Sequence, residues 1–222
     1  MSNINLLCIE LAICLITLII VYKHSKIVGL YAYSIVLFIL SNIMSLKTIT
    51  LQNFDINLGI IPFITVFIAS NIIVQKKGPE EVKKFILILI ASSVISYFFL
   101  YTAKLLNSSN INLFTNVSYN NIFDGSERIY FANIVTMLYA LIFNYKLYYY
   151  LKRIKNKIWI SNLFSSIIIN FITAILFPVL AYALIEEPID IIKLIIIRYL
   201  ISLIVAIIGT IPIYIANKIE TK

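Results

Sequence analysis

Seven long apolar runs with few polar interruptions dominate the chain, at roughly 4–22, 27–46, 58–75, 85–106, 129–151, 158–185 and 191–216. A helix advances about 1.5 Å per residue, so about 20 residues cross a hydrocarbon core about 30 Å thick. Most of the runs meet that length. The pattern predicts an all-α integral membrane protein, a polytopic bundle of about seven transmembrane helices forming a single domain over residues 1–222. Between the second and third runs, residues 47–58 (KTITLQNFDINL) alternate apolar and polar on either side of Gln52-Asn53, which predicts a short external β-hairpin. Residues 107–127 are rich in Asn and Ser and contain Asp124-Gly125, which predicts an irregular outer loop.

Composition supports lipid as the surroundings, because 61% hydrophobic and 13% charged residues would leave a soluble domain with a largely apolar surface. The first run lacks a basic leader and a small-residue cleavage site and carries Glu10, so it reads as a retained span. A net charge of +8 would suggest nucleic acid for a soluble protein. Here the charge instead sets topology: Lys23, Lys26, Lys76, Lys77, Lys83, Lys84, Lys152, Arg153, Lys155, Lys157, Lys218 and Lys222 follow odd-numbered spans, against Lys47, Lys104, Arg128 and Lys193 on the other side. By the positive-inside rule the N-terminus is outside and the C-terminus cytoplasmic, which requires an odd number of spans. The expected partners are the bilayer and a small-molecule solute, not nucleic acid. Abundant Ile, Asn, Lys, Tyr and Phe, all with A/T-rich codons, point to a bacterial source and hence to the bacterial cytoplasmic membrane. Cys8 and Cys14 are six residues apart on one predicted helix, on different sides, and read as reduced thiols.

Catalytic chemistry has little support. The one histidine, His24, sits in a predicted cytoplasmic loop, and the sequence has no Gly-rich phosphate loop, metal-spaced His/Cys cluster or nucleophile elbow. We therefore expect no enzyme activity and no cofactor. Polar side chains inside the spans are the informative feature, since each is costly in hydrocarbon and should face the bundle interior. Asn162, Ser166, Asn170 and Thr173 recur at intervals of four, four and three, along one face of the sixth span. The third span ends with Asn71 and Gln75 one turn apart, and the fifth carries Asn144. Allowing for direction, Asn71, Gln75, Asn144, Asn162, Ser166 and Asn170 fall in the cytoplasmic half, and we expect them to line one substrate-binding cavity. The alternative is that they only join helices.

Glu10 and Arg198 carry opposite charges at matched depth in the outer leaflet, so they are expected to pair as an outer gate. Arg198 could instead snorkel outward toward Glu186, Glu187 and Asp190. Tyr145, Tyr148, Tyr149 and Tyr150 read as an interfacial aromatic belt.

The run NLGIIPFITVFIASNIIVQKKGPEEVKK, residues 57–84, resembles the signature region of the queuosine precursor transporter family, also called the vitamin uptake transporter family. Gly59, Ile60, Thr65, Ile68, Ser70 and Gly78 carry that match; Phe123, Arg128, Ile129 and Ala132 carry a second, and Leu151, Lys152, Trp159, Asn162 and Ser165 a third. Thr210 and Tyr214 add a fainter fourth. The resemblance covers most of 47–216 and implies import of a deazapurine precursor of the tRNA base queuosine, with no bound cofactor and no ATPase in the chain. Where the family has Asp, Glu, Asp, Gln and Asp in its spans, this chain has Asn71, Gln75, Asn144, Asn170 and Thr173. A carboxylate accepts two hydrogen bonds from a guanine-like edge, whereas an amide offers one acceptor and opposing donors. The function expected is import of a small planar solute, a queuosine precursor or a related nucleobase or vitamin. The alternatives are a substrate-capture subunit needing an ATP-driven partner and a non-transport immunity or scaffold protein. A homo-oligomer or a coupling subunit stays open.

Overall fold

The computed structural model describes residues 3–51, 54–107, 109, 111–155 and 157–219. The first two apolar runs form one helical hairpin, α1 (Asn3–Met44), whose backbone leaves helical geometry at Lys26 (φ 51°, ψ −135°). Its arms fold against each other: the Tyr33 hydroxyl donates to the Cys14 carbonyl at 2.6 Å and lies 2.9 Å from Thr17 Oγ1. Strands β1 (Thr48–Leu51) and β2 (Phe54–Asn57) follow, antiparallel, with Thr48 opposite Asn57 and Leu51 opposite Phe54. The alternating pattern thus gives the expected hairpin. Its Gln52-Asn53 turn, like Lys222, lies outside the described residues.

Helix α2 (Ile60–Lys77) runs through the middle, and every residue from Ile60 to Val74 is buried. A turn at Gly78 leads into α3 (Pro79–Leu105), which has Glu80 and Glu81 in its first turn where they complement the helix dipole. A short helix α4 (Leu113–Phe123) precedes α5 (Ser126–Lys155), α6 (Ile158–Tyr182), α7 (Pro188–Ile208) and α8 (Thr210–Lys218). α5 packs along α6, α6 along α7, and α1 along α2. Five described helical rods are long and apolar enough to cross a membrane: α1, α2, α3, α6 and the α7–α8 pair. α1 doubles back on itself, and α5, at 30 residues, is about 45 Å long at 1.5 Å per residue. The protein is an all-α membrane bundle. Large apolar side chains such as Leu87, Phe98 and Ile204 lie exposed on its flanks, where lipid would cover them.

Residues 107–127 depart from the expected irregular loop, because α4 occupies much of them. Its Asn and Ser residues hide a helix that is fixed from outside by the Tyr119 hydroxyl, which donates to the Leu100 carbonyl at 2.8 Å, and supported within by the i,i+4 contact of the Tyr119 and Phe123 rings. The basic residues gather at the other end of the bundle. There the Lys76 ammonium donates to the carbonyls of Asn217 (3.0 Å) and Ile219 (2.9 Å), and Lys152 reaches the Gln75 carbonyl (3.5 Å).

At the hairpin end, Arg128 of α5 staples the last turn of α6, donating through Nε to the Leu180 carbonyl at 2.8 Å and through Nη2 to the Ala183 carbonyl. These carbonyls have no intrahelical donor, which is why a cation with a forked set of N–H groups suits the position. Replacing Arg128 with alanine is expected to destabilise the protein by about 2 kcal/mol, the worth of a charge-assisted bond. Thermal unfolding of the detergent-purified variant measures it.

Candidate functional site

Three of the six expected site residues meet. Asn144 Nδ2 on α5 donates to Asn71 Oδ1 on α2 at 2.8 Å, and Asn71 Nδ2 donates to Asn162 Oδ1 on α6 at 2.9 Å. Asn162 Nδ2 in turn donates to the Ala206 carbonyl (3.1 Å) and to Thr210 Oγ1 (2.8 Å). The last two acceptors flank the break between α7 and α8, where carbonyls are freed from the helical ladder. α2 lies so close to that break that a Cβ on Gly209 would come within 2.3 Å of Ile68 Cδ1. All three amides are buried. Helices α2, α5 and α6 and the two sides of the α7–α8 break are thus tied by a one-directional chain of amides, each oriented by the next, across the half of the bundle nearer the lysines.

The other expected residues lie elsewhere. Gln75, one turn nearer the lysines, accepts from the Tyr148 hydroxyl at 3.1 Å and donates to Asn217 Oδ1 at 3.2 Å, so it belongs to the basic mouth. Tyr148 is fully buried in the core and is not part of an aromatic belt, whereas Tyr150 is exposed. Asn170, two turns from Asn162 toward the hairpin end, donates to the Ser202 carbonyl on α7 at 3.2 Å. Ser166 is buried between them and has no hydrogen bond among the described residues. The six side chains therefore do not form one hydrogen-bonded cluster. A stripe with four-residue steps advances about 6 Å per step, so it passes through successive layers and not around one chamber.

Glu10 and Arg198 do not form the expected gate. No ion pair joins them among the described residues, and Glu10 Oε1 is buried on α1 without a hydrogen-bond partner there. Arg198 does not snorkel outward either. It is 7% exposed, with its guanidinium carbon 4.2 Å from the centre of the Phe177 ring on α6 and 5.3 Å from that of Phe63 on α2.

Voids line up on this arginine. One of about 10 Å³ lies on its hairpin side, against Asn57, Phe177, Tyr182 and Asp55. Another of about 10 Å³ lies on its inner side, against Phe63, Asn170, Thr173 and Ser202. Each holds about one water molecule. Beyond Tyr182 and Asp55, which form a shared wall, an outer vestibule of about 260 Å³ is lined by Thr48, Glu186, Asp190 and Lys193. Asn57 Nδ2 donates to the Tyr182 hydroxyl at 3.3 Å and to the Ser45 carbonyl at 2.5 Å, holding the wall shut. Sequence reasoning missed Phe63, Phe177, Asn57, Tyr182 and Ser202, because aromatic and hydroxyl residues in apolar runs look like ordinary core.

A family model described as "putative vitamin uptake transporter" matches residues 57–216, from the end of β2 through most of α8. The chain belongs to the vitamin uptake transporter family. Comparison with curated proteins and with solved structures found no match. The match takes in the amide chain, Asn170, the aromatic pair and Arg198, while α1 with Glu10 precedes it. Membership makes the chain a multi-pass membrane protein of a transporter family.

Proposed function

We propose that this chain imports a small planar solute across a bacterial cytoplasmic membrane. The deazapurine precursor of queuosine is the first candidate, and a related nucleobase or vitamin the next. The observation that carries the reading is the succession of separate voids, the vestibule and then one on either side of Arg198 as far as Asn170, walled by Phe63 and Phe177 and stopping above the amide chain. Small-molecule sites are apolar clefts with a few convergent polar groups, and aromatic walls suit a flat solute. On this reading Asn170 and Ser166 flank the descending solute, Asn71, Asn144 and Asn162 form the inner closure, and Gln75 stands at the inner mouth. The path is closed at two levels, by Asn57–Tyr182 outside and by the amides inside. Opening them alternately moves the solute. Amides carry no proton, which fits movement of the solute down its own gradient.

A thermal-shift screen of the purified protein against deazapurines, purines, pyrimidines and vitamins tests this. A solute at about 100 times its Kd stabilises the native state by about 2.7 kcal/mol, and one planar class is expected to do so. Absence of any shift, with a protein partner co-purifying, would favour the scaffold alternative.

A further inference from the structure

Arg198 is a buried cation that makes no hydrogen bond to protein among the described residues, its neighbourhood being two voids of about one water each. Its guanidinium has five N–H donors, and none meets an acceptor among the described residues. The contacts with Phe177 and Phe63 attract the charge through the ring faces but take up no donor. No carboxylate pairs with it among the described residues. Asp55 lines the same void, but it sits exposed on β2 and accepts the Thr50 hydroxyl at 2.6 Å. A cation held in a low-dielectric interior without an anion is costly, and within membrane spans such groups are kept for a ligand or an ion pathway.

Resting on the transport reading, but favouring its vitamin-like alternative over the neutral deazapurine, we propose that Arg198 is the recognition point for a carboxylate, and that the solute is a planar aromatic acid seated against Phe63 and Phe177. A carboxylate matches the guanidinium fork with two parallel hydrogen bonds and cancels the buried charge. A neutral ring in the same place would cover the charge without compensating it. Asn170 and Ser202, on the inner void, lie where the far edge of the ring would reach once the two small voids merge. The vestibule acids Glu186 and Asp190 slow the approach of an anion rather than set its affinity, because exposed charges are screened beyond about 8 Å in physiological salt, whereas Asp55, on Arg198's own void, opposes the anion there and lowers its affinity. Lys193, paired with Asp190 at 2.8 Å, offsets one of them.

The experiment is titration calorimetry of the full-length protein in nanodiscs with matched pairs: pyridine-3-carboxylate and benzoate against their neutral carboxamides, and the neutral deazapurine precursor alongside. The acids are expected to bind roughly tenfold to a hundredfold more tightly than the carboxamides, the worth of a charge-assisted bond. Arg198→Gln is expected to abolish the preference, and Arg198→Lys to keep only part of it, since an ammonium lacks the fork. The comparison within the unaltered protein stands even if a variant fails to fold. Equal affinity for acid and carboxamide, no binding of either acid, or a preference that survives in folded Arg198→Gln would overturn the proposal. Flux separates it from the transport reading. Arg198-dependent binding of the acid without uptake into proteoliposomes sinks transport and keeps the acid site, while uptake of the neutral deazapurine with no acid binding does the reverse.

Discussion

Asn71→Leu is expected to destabilise the protein by about 2–3 kcal/mol, more than leucine at Gln75, Ser166 or Asn170. Asn71 is the middle link of the amide chain, so its loss leaves Asn144 Nδ2 without its acceptor and Asn162 Oδ1 without its donor, both buried. An orphaned buried polar group costs about 1–3 kcal/mol in general, and in membrane bundles hydrogen bonds average nearer to about 0.6 kcal/mol because unpaired groups find substitutes. Two orphans between packed helices have little room to do so. Gln75 is partly exposed at the mouth, where water can replace its partners. Thermal unfolding of Asn71→Leu, Asn144→Leu and the double variant measures the coupling. The double variant is expected to cost at least about 0.5 kcal/mol less than the sum of the singles, as residues in one network do. Strict additivity would show that the amides act separately.

Gly59→Ala should cost about 3 kcal/mol or more, the upper part of the range for overpacking. Gly59 has an ordinary helical φ of −69°, so the reason for glycine is space. A Cβ there would stand 2.1 Å from Ser45 Oγ and 2.3 Å from the Ser41 carbonyl oxygen, and that oxygen belongs to the backbone of α1. Relief requires the end of α1 to move away from α2, which also breaks the 2.8 Å bond from the Ser41 hydroxyl to the Gly59 carbonyl. The hairpin that places Asn57 against Tyr182 is anchored at this junction, so the outer closure loosens with it. Gly209→Ala is expected to cost less, about 1 kcal/mol, because the atom it meets is the far end of the flexible Ile68 side chain. Unfolding midpoints of the two variants in one detergent give the comparison, and a smaller loss for Gly59→Ala would contradict the packing described.

The spans were legible because length and apolarity alone decide what can cross a bilayer. The hairpin was legible from its alternation. The helix at 113–123 was not, since Asn116, Ser118, Asn120 and Asn121 are poor local helix formers and the order comes from the contact of Tyr119 with α3. For the site, the sequence located the amides because a polar side chain in an apolar run has to find a partner. It could not say which ones meet. Asn71, Asn144 and Asn162 come together through the relative heights and rotations of three helices, and the same rotations send Asn170 to α7 and Gln75 to Tyr148. Glu10 and Arg198 failed for the same reason. Matched depth fixes one coordinate and leaves the angle about each helix free, and Arg198 turns toward Phe63 and Phe177.

The central claim is that a solute crosses between α2, α6 and α7. The most direct measurement is uptake of the labelled solute chosen by the binding screen into proteoliposomes containing the purified chain, with protein-free vesicles and the Asn71→Leu variant alongside. Saturable uptake down the solute gradient, well above protein-free vesicles and altered by the variant, is the expected result. Binding of the solute with uptake no faster than in protein-free vesicles would contradict the claim and favour a capture subunit that depends on a partner.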